Sequence, residues 1–118
     1  LPKYALRLYR DPAAAPAFGT PEMDAEMQEG FAVTSELQAA GKHLGGEALT
    51  PTEAATTIRV RNAKTVTSDG PFAETKETLG GFYLIEADDL DEATAWAAKI
   101  PLAPYGSVEI RPVMDIPG

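Results

Sequence analysis

Cysteine is absent from the 118 residues. Disulfides, thiolate nucleophiles and cysteine-ligated metals are thereby excluded, and nothing argues for an oxidising compartment. Histidine is nearly absent as well: His43 stands alone, so any imidazole mechanism rests on one side chain and no histidine cluster exists to hold zinc. Basic residues are scarce, ten against eighteen acidic ones, for a formal net charge of −8. That sign of charge repels a phosphate backbone and an anionic lipid surface alike, so direct nucleic-acid and membrane partners are not expected. No apolar run approaches the length needed to span a bilayer, and no charged-then-apolar leader precedes the strand pattern that begins at Lys3. The cytosol is the expected compartment. Gly-rich phosphate loops and nucleophile elbows are also missing, so no cofactor and no metal are expected.

What is present reads as one globular domain over residues 1–118, with 44% hydrophobic and 24% charged residues. Lys3 to Tyr9 alternates, Tyr4, Leu6 and Leu8 against Ala5, Arg7 and Tyr9, as a strand with one apolar face does. A proline- and alanine-rich loop ends at Thr20-Pro21, a hydroxyl N-cap followed by proline at the first helical position. From Glu22 to Ala40, Met23, Met27, Phe31 and Leu37 recur at mostly helical spacing and are expected to form the buried stripe. Gly41 supplies a stop, and Gly30 inside the helix costs roughly 1 kcal/mol relative to alanine, which points to a close contact or a weak spot. His43 to Leu49 reads as a short strand broken by Gly45-Gly46, and Thr56 to Ser68 as a hairpin turning at Asn62-Ala63. Gly81 to Ala87 is apolar on both faces, as a central strand requires. Asp88 or Asp89 caps a second helix with Glu92 at capping-box distance, and Leu90, Ala93, Trp96, Ala97 and Ile100 are its expected stripe. Gly106 to Val113 is the last strand, with Pro112 tolerable only at an edge or an end.

The order strand, helix, strand, hairpin, strand, helix, strand is an α+β plan, a ferredoxin-like split β-α-β sandwich with an inserted β-hairpin. The first strand and the Gly81 strand then lie centrally, and both helices cover one face. The other face stays bare, a liability in so small a domain.

Between the hairpin and the central strand runs the densest stretch of the chain: Asp69-Gly70-Pro71-Phe72, then Ala73-Glu74-Thr75-Lys76-Glu77, then Gly80-Gly81-Phe82. A constrained turn, a compact charge cluster and a glycine pair follow without a gap. These residues resemble the signature of the YCII-related proteins of the DGPF group. The resemblance extends to Gly45-Gly46-Glu47-Ala48-Leu49, Thr57-Ile58-Arg59-Val60-Arg61 and Tyr105-Gly106-Ser107-Val108-Glu109-Ile110-Arg111-Pro112, and so spans nearly the whole chain. It implies a small ferredoxin-like domain that pairs into a dimeric α/β barrel, and it brings no settled activity. It also implies, by family association only, an extracytoplasmic-function sigma factor as a partner. More distant relatives are proposed to use a histidine and aspartate pair whose histidine opens the first helix. Glu22 and its neighbours hold that position here, so that dyad does not carry over.

Alternation places Arg7 and Tyr9, Arg59 and Arg61, and Glu109 and Arg111 on the face away from the helices. They read either as solvated or interface residues, or as the wall of a polar cavity in which guanidinium groups hold a carboxylate or phosphate. Glu47, Glu74 and Asp69 are the acidic candidates at its rim, with Lys76 beside them, and Asp69 is the first choice of general base. Three functions stay open: a metal-independent enzyme moving a proton on a small anionic carbonyl or lactone-like metabolite, a dimeric ligand-binding or regulatory module, and a dimer without a ligand.

Overall fold

The computed structural model describes residues 1–117. Its elements, in chain order, are β1 (Lys3–Arg10), α1 (Pro21–Ala39), β2 (His43–Ala48), β3 (Thr56–Arg61), β4 (Lys64–Asp69), β5 (Thr78–Glu86), α2 (Leu90–Ala98) and β6 (Ser107–Pro112). Four strands form an antiparallel sheet in the order β2-β5-β1-β6, while β3 and β4 pair only with each other. This is the α+β, ferredoxin-like arrangement that the element order predicts, with the hairpin as a separate ribbon.

The register sets the two faces, because directly opposed residues project to the same side. Tyr4 pairs with Ile85, and Leu6 with Tyr83 and Ile110, beneath the helices. Leu6, Leu37 and Ile85 are fully buried there, each worth about 1.5–3 kcal/mol of transfer free energy. Val33, Ala87, Ala93, Ala97, Ile100 and Leu102 complete that core. β5 begins at Thr78, earlier than its apolar run suggests, and includes Gly80-Gly81. A Cβ on Gly81 would stand 2.8 Å from the Glu47 carbonyl oxygen of β2, so the strands meet closely only because it is missing. Pro112 is the last residue of edge strand β6, opposite Tyr4, where its missing N–H disturbs nothing further along.

Both helices start as their sequences predict. The Thr20 hydroxyl accepts the Met23 N–H at 3.3 Å with Pro21 at the first position, and the Asp89 carboxylate accepts the Glu92 N–H at 2.9 Å. Asp89, not Asp88, is therefore the cap, and Glu92 reaches back to the Asp88 N–H at 2.7 Å. The stripes need correction. In α1 the buried residues are Met23, Val33 and Leu37, whereas Met27 is 48% and Phe31 58% exposed. Met23, Glu26, Gly30, Val33 and Leu37 follow the i, i+3, i+4 rule, so a carboxylate and a glycine hold the middle of the inward face. In α2 only Leu90 departs, being exposed, while Ala93 and Ala97 are buried, Trp96 packs against the same core and Ile100 is buried just past the helix end.

Candidate functional site

The sheet face opposite the helices is uncovered in the single chain. Arg7 lies opposite Phe82 on one side and Glu109 on the other, Ala5 opposite Leu84 and Arg111, and Glu47 opposite Phe82. These side chains share one surface. Arg7 donates to the Glu109 carboxylate at 3.0 Å, Arg111 lies 3.6 Å from the same oxygen, and the Arg7 guanidinium stands 5.4 Å from the centre of the Tyr9 ring. Such exposed pairs contribute at most about 1 kcal/mol each, so their role is to orient the guanidinium groups. Phe82, 39% exposed, supplies the apolar part of the face.

The Asp69-Gly70-Pro71-Phe72 turn folds back over one end of this face. Gly70 takes φ +92°, open to glycine without strain, and its N–H donates to the Ala55 carbonyl at 2.7 Å. The Thr57 hydroxyl donates to the Gly70 carbonyl at 2.8 Å, and Arg59 donates to the Phe72 carbonyl at 3.3 Å. The base of the ribbon thus fixes the turn. Downstream, the Thr75 hydroxyl donates to the Glu77 carbonyl at 2.5 Å, and the Leu49 N–H donates to the Gly80 carbonyl at 2.9 Å. Between turn and sheet lies a cavity of about 620 Å³, lined by Arg7 and Tyr9, by Thr57 of β3, and by Phe72, Thr75 and Glu77 of the turn segment, among others. That volume suits a small metabolite. Phe72 is 79% exposed, an apolar ring at the cavity with nothing over it in the single chain.

The residues singled out from the sequence divide. Arg7 and Tyr9 line this cavity, and Glu109 and Arg111 stand on the same open face. Arg59 and Arg61 do not join them, because β3 belongs to the separate ribbon and, of its residues, only Thr57 reaches the cavity. Arg59 instead holds the turn, and Arg61 donates to the Val60 carbonyl at 3.0 Å beside the hairpin tip. Alternation fixes a side within one sheet and says nothing across two. Asp69 is exposed at the end of β4, opposite Thr56, and is not among the lining residues. Glu74 is likewise exposed, Lys76 lies 3.9 Å from Asp11, and Glu47 is exposed on edge strand β2. Thr57, Thr75 and Glu77 are lining residues that the sequence reading left out of the site. Their signal was present, since Thr57 alternates in phase with Arg59 and Glu77 belongs to the charge cluster.

Two polar clusters lie elsewhere. Arg10, the last residue of β1, pairs with Glu26 at 2.6 Å and donates to the Tyr105 hydroxyl at 2.9 Å, and that hydroxyl donates to Glu26. Burial, then the bond to the Glu26 carboxylate, push the Tyr105 phenol well above its ordinary range. Lys42 contacts Asp88 at 3.2 Å and Glu92 at 3.4 Å, chiefly the Asp88 bond raising its pKa. The Asp88 N–H and then the Trp96 indole hold the Glu92 carboxyl below its usual value. Among the described residues no three His, Asp or Glu side chains converge on a metal-binding geometry, and no helix is long and apolar enough to cross a membrane.

Comparison with known proteins agrees with this architecture. The family model of the YCII-related domain matches residues 3–117. An uncharacterised protein of Rhizobium meliloti (strain 1021) is 43% identical over 113 residues, covering 93% of this chain and 90% of its own length. A match over that span, through both helices and every strand, means that the chain belongs to the YCII-related domain family.

Proposed function

We propose that the protein binds a small carboxylate- or phosphate-bearing metabolite in the cavity beneath the Asp69–Phe72 turn, as a homodimer whose second copy covers the open sheet face. One observation carries this reading: a guanidinium, Arg7, lies in the wall of a 620 Å³ cavity together with Tyr9 and the threonines at 57 and 75. A guanidinium bonds a planar anion through two parallel N–H groups, and the Tyr9 hydroxyl adds a donor, the Thr57 and Thr75 protons being held by the Gly70 and Glu77 carbonyls. Arg7 commits its Nη1 to Glu109 and keeps further N–H donors for a ligand. The exposed Phe72 and Phe82 rings are the apolar surface that a second copy would cover.

A catalytic reading, proton transfer on a carbonyl or lactone-like substrate, draws less support for Asp69, which stands outside the lining. Glu77 is the carboxylate that lines the cavity, so it is the better-placed base for that chemistry. A regulatory role alongside a sigma factor would use the same ligand-bound dimer as its docking form.

Thermal shift of the purified protein with inorganic phosphate and a panel of small monocarboxylates tests the binding reading. A ligand at about 100 times its Kd adds roughly 2.7 kcal/mol to native-state stability. The upward shift should vanish in Arg7→Gln and persist in Asp69→Asn. An equal shift in Arg7→Gln, or no shift across the panel, contradicts it.

A further inference from the structure

A second hollow lies on the other side of the sheet, beneath the middle of α1, with a volume of about 460 Å³. Its roof is the part of the helix where the inward stripe carries Glu26 and Gly30 between buried Met23 and buried Val33. Its floor is Leu8, Gly46 and Tyr83 of the sheet, and Leu102 closes one side.

Gly30 is the informative residue. Its backbone is ordinary helix with no positive φ, and a Cβ built on it meets nothing within 4 Å. Neither conformation nor packing within the chain requires glycine there, although glycine weakens a helix interior relative to alanine. Empty space above an inward glycine, in a core otherwise packed tightly enough to bury Leu37 and Ile85 completely, is accounted for by an occupant.

We infer that this hollow is a binding site for a neutral, mostly apolar small molecule carrying one hydrogen-bonding group. The lining fixes that chemistry. Met27, Phe31, Leu8 and Leu102 offer apolar contact, and the exposure of Met27 and Phe31 marks the entrance. Arg10 and Glu26 neutralise each other at 2.6 Å, and the other carboxylate of the lining, Glu47, is exposed on edge strand β2, so nothing draws an anion into the hollow. The Thr34 and Tyr83 hydroxyls share one hydrogen bond at 2.9 Å and the remaining hydroxyl proton goes to the Gly30 carbonyl, 3.1 Å from Thr34 and 3.4 Å from Tyr83, which leaves an acceptor for a ligand hydroxyl or N–H, with His43 packed edge-on to Tyr83 beside them. This site lies across the sheet from the anion cavity and does not depend on it.

The probe is N-phenyl-1-naphthylamine, a neutral aromatic amine that fluoresces on entering an apolar pocket. Wild-type protein should bind it saturably, with one molecule per chain. Gly30→Leu fills the hollow from the helix side and should weaken binding at least tenfold without lowering the melting temperature. Gly30→Ala should weaken it by a smaller factor, and Arg7→Gln should leave it unchanged. As a readout independent of these variants, methyl spectra of the wild type should shift at Met27 and stay still at Leu79 in the anion cavity. Absence of saturable binding, equal binding in Gly30→Leu, or shifts at Leu79 instead of Met27 would overturn the inference. So would loss of the Met27 shifts when the protein is concentrated, which would assign the hollow to a second copy.

Discussion

Tyr105 shows how one side chain ties loop, strand and helix together. It donates to Glu26 of α1 and accepts from Arg10 of β1, so three segments meet at one hydroxyl. Its folded pKa lies above the ordinary value of 10.0. A phenol kept protonated by folding contributes stability that is fully present below about pH 10 and is lost as pH rises further. Tyr105→Phe should therefore cost about 1 kcal/mol at neutral pH, a drop of roughly 3–6 °C in melting temperature, and should flatten the alkaline decline. Denaturant melts across the alkaline range, with phenolate absorbance followed in parallel, check both. Glu92 acts at the opposite end of the scale. Its folded pKa lies below the ordinary 4.5, so its contribution is present above that pH and is lost as pH falls through the folded value. Glu92→Gln should reduce the acid sensitivity of unfolding. The partners of Tyr105 could not be read in the sequence, because Arg10, Glu26 and Tyr105 are separated by loops whose path no periodicity describes. Caps were legible for the opposite reason: Thr20-Pro21 and Asp89 to Glu92 act within three residues of chain.

At the scale of elements, the strands were readable because alternation is a local property, and the doubly apolar β5 named itself as central. The helix α1 was readable in extent but not in phase. Met27 and Phe31 have the right spacing among themselves, yet Val33 and Leu37 define the inward face one position away. Large apolar residues that border a hollow look like core in a one-dimensional reading. The ribbon carries a sharper prediction. Asn62 and Ala63 both take left-handed backbone, φ 50° and 61°, the geometry that a two-residue hairpin turn needs. Alanine there costs about 1 kcal/mol relative to a residue without a Cβ. Ala63→Gly should slow amide exchange in Thr56–Asp69 about fivefold and leave the exchange of β1 and β5 unchanged, because the ribbon pairs with neither. The same independence explains why Arg59 and Arg61 were assigned to the wrong face.

For the whole molecule, the decisive feature is a layer of helices on one side of the sheet and none on the other. The extents, 46 × 46 × 18 Å, are those of a thin slab, one helix layer on one sheet. A specific interface removes about 1,600 Å² in total, and if half is apolar the gain is about 20 kcal/mol, against about 4–15 kcal/mol for lost freedom. The margin is modest, so one charge at the centre of the face should tip it. Phe82→Glu sets a carboxylate opposite Glu47 on the neighbouring strand, and Arg111→Glu sets one beside Glu109. Either should weaken the dimer, and the first should also abolish anion binding if the second copy completes the cavity. Sedimentation velocity on the unaltered protein at micromolar concentration is the most direct measurement. A species of about twice the 12.5 kDa chain mass, reduced to the single chain in Phe82→Glu, is the predicted result. A wild-type chain that sediments as a 12.5 kDa monomer would contradict the covered face and the closed cavity together.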